Sequence, residues 1–327
     1  MDKIIGIGNA LVDVLAVLKD EVLLQKMNLP KGSMQLIDDD KLMEIKKVFA
    51  LIDTSVASGG SAGNAMMALG QLRAEPGFIG KIGTDQYGAF FQQACVGNSV
   101  TAELLTSNDP SGIASIFITP DCERTFATCL GAAATLTATD ITPALFEGYS
   151  YLFVEGYLVQ NHAMITKAIE TAKAMQLQVC LDLSSYNVIE NDLAFFKELI
   201  DNHVDIVFAN ELEATALTGL PPREAVDEIA KNCSIAIVKL GAEGSIIRKG
   251  TEKIEVGTEQ VSPLIDTTGA GDYYAAGFLY GLTNHFSLRK CALIGGILAA
   301  QVIQVAGTTL PPSTWSIIRE RIDFLLD

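Results

Sequence analysis

Asp266-Thr-Thr-Gly-Ala-Gly-Asp-Tyr-Tyr-Ala-Ala-Gly-Phe278 joins a polar, glycine-broken turn directly to an apolar helix. Thr267 and Thr268 are expected to cap the first helical turn with their hydroxyls. Gly269, Ala270 and Gly271 carry almost no side chain, so their N–H groups are open to close approach. Unpaired amides and the positive end of the helix dipole together favour an anion. Asp272 is out of place in such a nest, being itself an anion. It makes chemical sense as a base aimed at a hydroxyl that attacks a bound phosphoryl group. The plainer alternative is a capped helix whose Asp complements the dipole.

Upstream of this stretch the chain alternates regularly. Apolar runs at 151–154, 179–183, 205–208 and 235–239 are separated by amphipathic segments of ten or more residues, and Ser245–Arg248 reads as another strand. Ile4–Gly8 and Phe78–Ile82 read as buried strands, and Val100–Leu105 as a further one. Strand–helix–strand units of this length predict a mostly parallel sheet covered on both faces. The fold class is therefore α/β, a three-layer α/β/α domain. Short extended runs at 14–18, 33–37 and 113–129 stand outside the alternation. They predict a small β-sheet acting as a lid, formed by two inserts at approximately 13–37 and 112–130 of one domain spanning 1–327. Gly59-Gly60-Ser61-Ala62-Gly63-Asn64 repeats the opening theme, with small residues leading into a helix over 65–72. All these polar junctions follow strands, and ligands of open α/β sheets sit beyond the carboxyl ends of their strands.

Composition narrows the function. The net charge of −16 argues against a general nucleic-acid binder and against adhesion to anionic membranes. The most apolar late segment, Cys291–Ala306, is too short to span a bilayer and reads as a buried helix. The N-terminus enters a strand at once and lacks the pattern of a secretion signal. The six cysteines, at 95, 122, 129, 180, 233 and 291, form no C-x-x-C pair and read as reduced core thiols of a cytoplasmic protein. His162, His203 and His285 show no ligand spacing, which argues against zinc.

Taken whole, Asp266–Phe278 resembles the C-terminal motif of the ribokinase-like (PfkB) family of carbohydrate and nucleoside kinases. Gly59-Gly60-Ser61-x-x-Asn64 is similar to that family's N-terminal motif. Asn210-Glu211-Leu212-Glu213 matches its N-x-x-E element, and Lys239-Leu240-Gly241-x-x-Gly244 is similar to its nucleotide-binding turn. Four such matches in family order, at strand-to-helix junctions, cover essentially the whole chain. A nearer resemblance, to bacterial adenosine-kinase-like members, rests on Gly6–Asp13, Lys31–Met34, Arg124–Ala132, Glu155–Leu158 and Ala209–Glu211.

The resemblance implies roles. Asp272 is the base, and the amides of Gly269, Ala270 and Gly271 form the anion hole. Asn9, Asp13, Gly59, Gly60 and Asn64 contact the acceptor, with carboxylate and amide groups suited to adjacent ribose hydroxyls. Without the resemblance, Asn9 and Asp13 read equally as loop residues capping nearby amides. Asn210, Lys239, Gly241, Gly244 and Thr268 are implied to line the ATP site, although Gly241 and Gly244 also read as simple turn residues. Glu213 is implied to position Mg²⁺ through water, as a hard cation prefers. Arg124, at the tip of an expected hairpin, either neutralises phosphate or is an exposed charge. Asp266, with the 305–308 loop, falls where many members hold K⁺.

The acceptor is less sharply marked. Many sugar-specific members carry a D-x-N-x-R-like stretch where this chain reads Leu181-Asp182-Leu183-Ser184-Ser185-Tyr186-Asn187, with no Arg. A nucleoside base needs an apolar slot, for which Met34, Phe126 and Tyr157 are candidates. The resulting expectation is γ-phosphoryl transfer from ATP to a 5′-OH, with adenosine as the acceptor. A sugar kinase of the same family and a non-catalytic nucleoside sensor are the alternatives. A dinucleotide dehydrogenase is disfavoured because Leu11 stands where G-x-G-x-x-G needs its third glycine. The partners expected are ATP and a small nucleoside or sugar, with no nucleic acid and no membrane, and the chain is expected to be a monomer or homodimer.

Overall fold

A computed structural model describes residues 1–121 and 123–326. Its strands are β1 (Ile4–Ile7), β2 (Leu11–Val17), β3 (Met34–Leu36), β4 (Thr54–Gly59), β5 (Gly77–Gly83), β6 (Thr101–Ser107), β7 (Gly112–Ile118), β8 (Arg124–Cys129), β9 (Tyr151–Glu155), β10 (Gln178–Asp182), β11 (Ile206–Asn210), β12 (Ile235–Lys239), β13 (Ser245–Lys249) and β14 (Glu252–Val256). Nine of them form one sheet in the order β14-β13-β12-β11-β10-β9-β1-β5-β6. Every pairing from β12 to β6 is parallel, and only β13 and β14 run antiparallel at one edge.

Alternate side chains of these strands point to opposite faces. Ile4, Phe78, Phe153, Phe208 and Ile237 join a core with the helices Ser61–Gln71, Ala270–Thr283, Leu288–Val302 and Pro312–Leu326. Ile5, Ile79, Leu152, Val207 and Val238 face the other way, against helices His162–Ala174, Leu193–Asn202, Glu211–Thr218 and Pro222–Ile229. Burial on both faces explains why these strands read as continuous apolar runs rather than alternating ones. The three layers follow directly.

The chain builds outward from β1 through β5 to β6, then returns and builds outward from β9. The reversal sits between β1 and β9, which opens a crevice at their carboxyl ends. Polar residues close several of these strands. Asp182 pairs with Glu155 in register across β10 and β9, and Asn210 pairs with Lys239 across β11 and β12.

A second, five-stranded sheet runs in the order β3-β8-β7-β2-β4. One face packs Val14, Ala16, Ile113, Phe117 and Ala127 onto the helix Asp39–Phe49. This is the small sheet expected from the runs outside the alternation, with two corrections. It includes β4, whose small and mostly exposed residues gave no strand signal, and β2 begins at Leu11. Asp13 therefore lies within a strand rather than in a loop. On the large sheet, β14 was likewise unforeseen. Its charged Glu252-Lys253-Ile254-Glu255 pattern is that of an edge strand, where charges blunt unwanted pairing.

Cys95, Cys129, Cys180, Cys233 and Cys291 are free thiols; Cys233 is only partly buried, and Cys122 lies outside the described residues. Among the described residues no helix is long and apolar enough to cross a membrane.

Candidate active site

The helix Ala270–Thr283 starts without a side-chain cap. Neither Thr267 nor Thr268 caps it, contrary to expectation, because the N-cap position is Gly269, with φ 75°. A Cβ there would come within 2.6 Å of Thr308 Cγ2. Only glycine adopts this left-handed backbone without strain. The Ala270 N–H turns back to the Thr267 carbonyl at 3.2 Å. The amides of Gly271 and Asp272, in the first turn, have no partner within their own helix.

Asp272 is held from across the molecule. Ser61 Oγ donates to its Oδ1 at 2.7 Å and Asn64 Nδ2 to its Oδ2 at 2.9 Å. Both donors stand on the helix Ser61–Gln71, whose N-cap Gly60 has φ 86°. A Cβ at Gly60 would strike the Asn9 carbonyl. Burial pushes the Asp272 carboxyl up to about 6, against the two hydrogen bonds, which favour its charged form. The group therefore remains mostly ionised at neutral pH while keeping appreciable basicity.

Asn9 and Asp13 flank this carboxylate on the side of the small sheet. Asn9 is positioned by Glu155, whose Oε1 accepts from the Asn9 N–H at 2.8 Å and from its Nδ2 at 2.6 Å. Glu155 Oε2 accepts from the Ala62 N–H at 3.0 Å, tying the same carboxylate to the helix that carries Ser61 and Asn64. Glu155 is 1% exposed, and burial raises its carboxyl to about 7. Asp13 lies against Gly59 of the neighbouring strand, where any Cβ would collide with its carboxylate. Burial raises Asp13 to about 7, with Arg124 opposing the shift.

On the other side of Asp272, Asn210 and Glu213 form a reciprocal capping box. Glu213 Oε2 accepts from the Asn210 N–H and Oε1 from its Nδ2, both at 2.7 Å, while the Glu213 N–H donates to Asn210 Oδ1 at 2.9 Å. Lys239 Nζ donates to Asp182 Oδ2 at 3.0 Å. Gly241 and Gly244 form the turn between β12 and β13, with φ 52° and 97°.

These groups line one cleft of about 680 Å³, a volume ordinary for a small-molecule site. It brings together Asn9, Asp13, Gly60, Asn64, Asn210, Glu213, Lys239, Gly241, Gly244, Thr268, Gly269, Ala270, Gly271 and Asp272. Met34, Phe126 and Tyr157, expected as an apolar slot, line it too, together with Leu36. Gly59, Arg124 and Asp266 are not on its wall. Arg124 is not an exposed hairpin charge: its Nη2 pairs with Asp266 Oδ2, and the two side chains are 9% and 4% exposed. Asp266 also accepts from the Thr268 N–H at 3.0 Å and the Gly307 N–H at 2.7 Å.

Three participants carried no assignment from sequence. Ser61, Glu155 and Asp182 lie within the quoted motifs, but their partners come from elsewhere in the chain. The one local signal was a charged residue closing each of two buried apolar strands, Tyr151–Glu155 and Gln178–Asp182.

A carboxylate beside open helix-start amides, with a largely buried ammonium next to them, is an arrangement suited to a phosphotransferase with an alcohol group as acceptor. The model for the pfkB family of carbohydrate kinases matches residues 33–315, and the chain belongs to that family. It is similar in structure to an adenosine kinase from Sinorhizobium meliloti, with 33% identity, a TM-score of 0.89 and coverage of 98% of this chain and 99% of that one. It is also similar to a probable sugar kinase from Rhizobium etli, with 30% identity, a TM-score of 0.89 and 98% of each chain covered. In sequence it is 25% identical to adenosine kinase 2 of Arabidopsis thaliana, over 94% of this chain and 95% of that protein. The chain is thus a nucleoside or sugar kinase, and the family as a whole uses ATP with a divalent metal.

Proposed function

We propose that the protein transfers the γ-phosphoryl group of ATP to the ribose 5′-OH of adenosine, giving AMP and ADP. The observation that carries this choice is the acceptor end of the cleft. There the polar Asn9, Asp13 and Asn64 line the cleft together with the apolar side chains of Met34, Leu36, Phe126 and Tyr157. Vicinal ribose hydroxyls suit the former, and a flat apolar base suits the latter. The similarity to the Sinorhizobium meliloti adenosine kinase supports the same reading.

In this reading Asp272 takes the proton of the 5′-OH as that oxygen attacks the γ-phosphorus in line. Ser61 and Asn64 keep the carboxylate aimed. The amides at the start of Ala270–Thr283 receive the transferring group, and no covalent enzyme intermediate forms. Asn210, Gly241, Gly244 and Thr268 flank the ATP side. The small sheet acts as the lid that excludes water.

Both Glu213 oxygens are engaged by Asn210, both Asp182 oxygens are engaged, and among the described residues no three acidic, His or Cys side chains gather to hold a metal. That fits a hydrated Mg²⁺ held chiefly by the donor's phosphates, with Glu213 reached through water, where it would spread phosphate charge. The Asp266 carboxylate is filled by Arg124 and two amides, so K⁺ would have to be held by backbone carbonyls there.

The second reading, a sugar kinase, is favoured by the similarity to the Rhizobium etli protein. ADP release from Mg·ATP against adenosine, inosine, ribose, fructose and 2-keto-3-deoxygluconate, with and without K⁺, separates the two. Saturable turnover on adenosine and none on the free sugars is the expected result. Turnover on a sugar alone would overturn the adenosine assignment and retain the base and the anion hole.

A further inference from the structure

Strands β10, β11 and β12 end side by side, and their ends gather charge. Asp182 closes β10, Lys239 closes β12, and Glu213 stands in the first turn of the helix that follows β11. Lys239 and Asp182 form an ion pair at 3.0 Å with side chains 14% and 6% exposed. Desolvating two charges is costly, so a buried pair is poorly explained by stability alone. Its location supplies another reason. A Cβ on Gly271 would lie 3.1 Å from Lys239 Nζ, which puts the ammonium directly against the first turn of Ala270–Thr283. That turn already favours an anion through its amides and dipole. Lysine has a flexible stem and needs an anchor to hold one position. Asp182 provides it, and is itself fixed because its Oδ1 accepts the Ser184 N–H at 2.9 Å.

We propose, resting on the phosphotransfer reading above, that Lys239 is the catalytic cation for the transferring phosphoryl group and that Asp182 is the positioning residue that holds it beside Gly271. In the step, the bond from the γ-phosphorus to the bridging oxygen of the donor breaks and the bond to the acceptor oxygen forms. The acceptor's proton passes to Asp272, and ADP departs with the bridging electron pair. Charge on the transferring oxygens and on the leaving group is then met by a fixed ammonium that keeps its own protons. Asp182 lines the same cleft, but both its oxygens are already engaged, by the Ser184 N–H and by Lys239. It acts only through Lys239, whose side chain would otherwise share the pocket with Glu213 and Asp272.

The test is a double-mutant cycle on kcat at saturating substrates, with Asp182→Asn and Lys239→Met singly and together. Wild-type turnover is read first, on whichever panel acceptor reacts. Lys239→Met is expected to lower kcat by about a hundredfold or more, as removing one charge-stabilising donor does elsewhere. Asp182→Asn should lower kcat by about tenfold while the acceptor KM changes by less than about threefold, since it loosens the cation and not the acceptor pocket. In the Lys239→Met background the same substitution should change kcat by less than about twofold, because its only route of action is gone. Equal losses in both backgrounds would overturn the proposal, and so would a loss confined to KM. If Asp182→Asn alone does not fold, Lys239→Met and the double variant, which leave no unpaired buried lysine, still overturn the proposal if their kcat values differ by more than about twofold. Asp182→Glu, which keeps the charge but shifts it, then supplies the missing arm by an expected loss of kcat in the Lys239 background alone. Turnover by the wild type with an additive cycle sinks this inference and leaves the kinase reading standing. No turnover on any acceptor sinks both.

Discussion

Replacing Asp272 by Asn removes the proposed base while leaving its shape, and its hydrogen-bond partners show how the site would accommodate the change. The carboxylate receives two hydrogen bonds, from Ser61 Oγ at 2.7 Å and from Asn64 Nδ2 at 2.9 Å. An amide offers one oxygen and one NH₂. With the oxygen toward Asn64, the NH₂ faces Ser61, whose hydroxyl can rotate and accept. No donor is left facing a donor. The change also relieves a cost, since burial raises the Asp272 carboxyl to about 6 and so opposes its charged form. A displacement of that size corresponds to about 1–3 kcal/mol at neutral pH, so the variant should be as stable as the wild type or more so. What it loses is proton abstraction. General-base removal costs about 10²–10⁴ in kcat, or about 3–5 kcal/mol of barrier. The assay is steady-state ADP release on the reactive acceptor, paired with calorimetric titration of Mg·ATP. Binding should remain within a few-fold of wild type while kcat collapses. A kcat within tenfold of wild type would refute the assignment of the base, and a parallel loss of ATP binding would move Asp272 from chemistry to binding.

Two further outcomes follow from the buried carboxylates. In Glu155→Gln, the amide NH₂ must face either the Asn9 donors or the Ala62 N–H, and a backbone N–H cannot turn away. Urea unfolding near pH 7 should therefore show a loss of about 1–3 kcal/mol even though a buried charge is removed, and an unchanged midpoint would contradict the bracing role. The second outcome concerns pH. Burial raises Asp13, Glu155 and Glu213 to about 7 and Asp272 to about 6. A carboxyl whose folded value is raised stabilises the fold fully below its unfolded value and loses that contribution as pH rises through the folded one. The urea midpoint should thus be lower at pH 8 than at pH 5.5; a higher midpoint at pH 8 would mean these groups ionise more easily in the folded state than their burial allows. Turnover should run the opposite way, rising through about pH 6 as Asp272 ionises.

The two pH trends share one cause, and it also explains what the sequence could and could not reveal. Groups that act through backbone position were legible in one dimension. Gly269 and Gly60, each with a left-handed backbone at the start of a helix, announce their turns by composition alone. The parallel strands announce themselves by runs buried on both faces. Strands at an edge carried no such imprint, so β4 and β14 escaped. Thr267 and Thr268 misled for a related reason: a hydroxyl before a helix ordinarily satisfies an amide, whereas here Gly269 occupies the cap position. The buried polar contacts were legible least. Ser61 meets Asp272 across 211 residues, Glu155 meets Asn9 across 146, and Lys239 meets Asp182 across 57. Sequence proximity holds no trace of such pairs; they exist because parallel strands end together at one crevice. That geometry forces carboxylates into a poorly solvated pocket, where each must find a donor or rise in pKa. Asp272 does both, accepting two hydrogen bonds while its pKa is raised to about 6. The same crowding that lowers stability as pH rises therefore leaves a carboxylate that is mostly ionised at neutral pH and more basic than an exposed one, as the proposed proton transfer requires. If the stability loss and the gain in turnover were to occur in unrelated pH ranges, that common origin would be wrong.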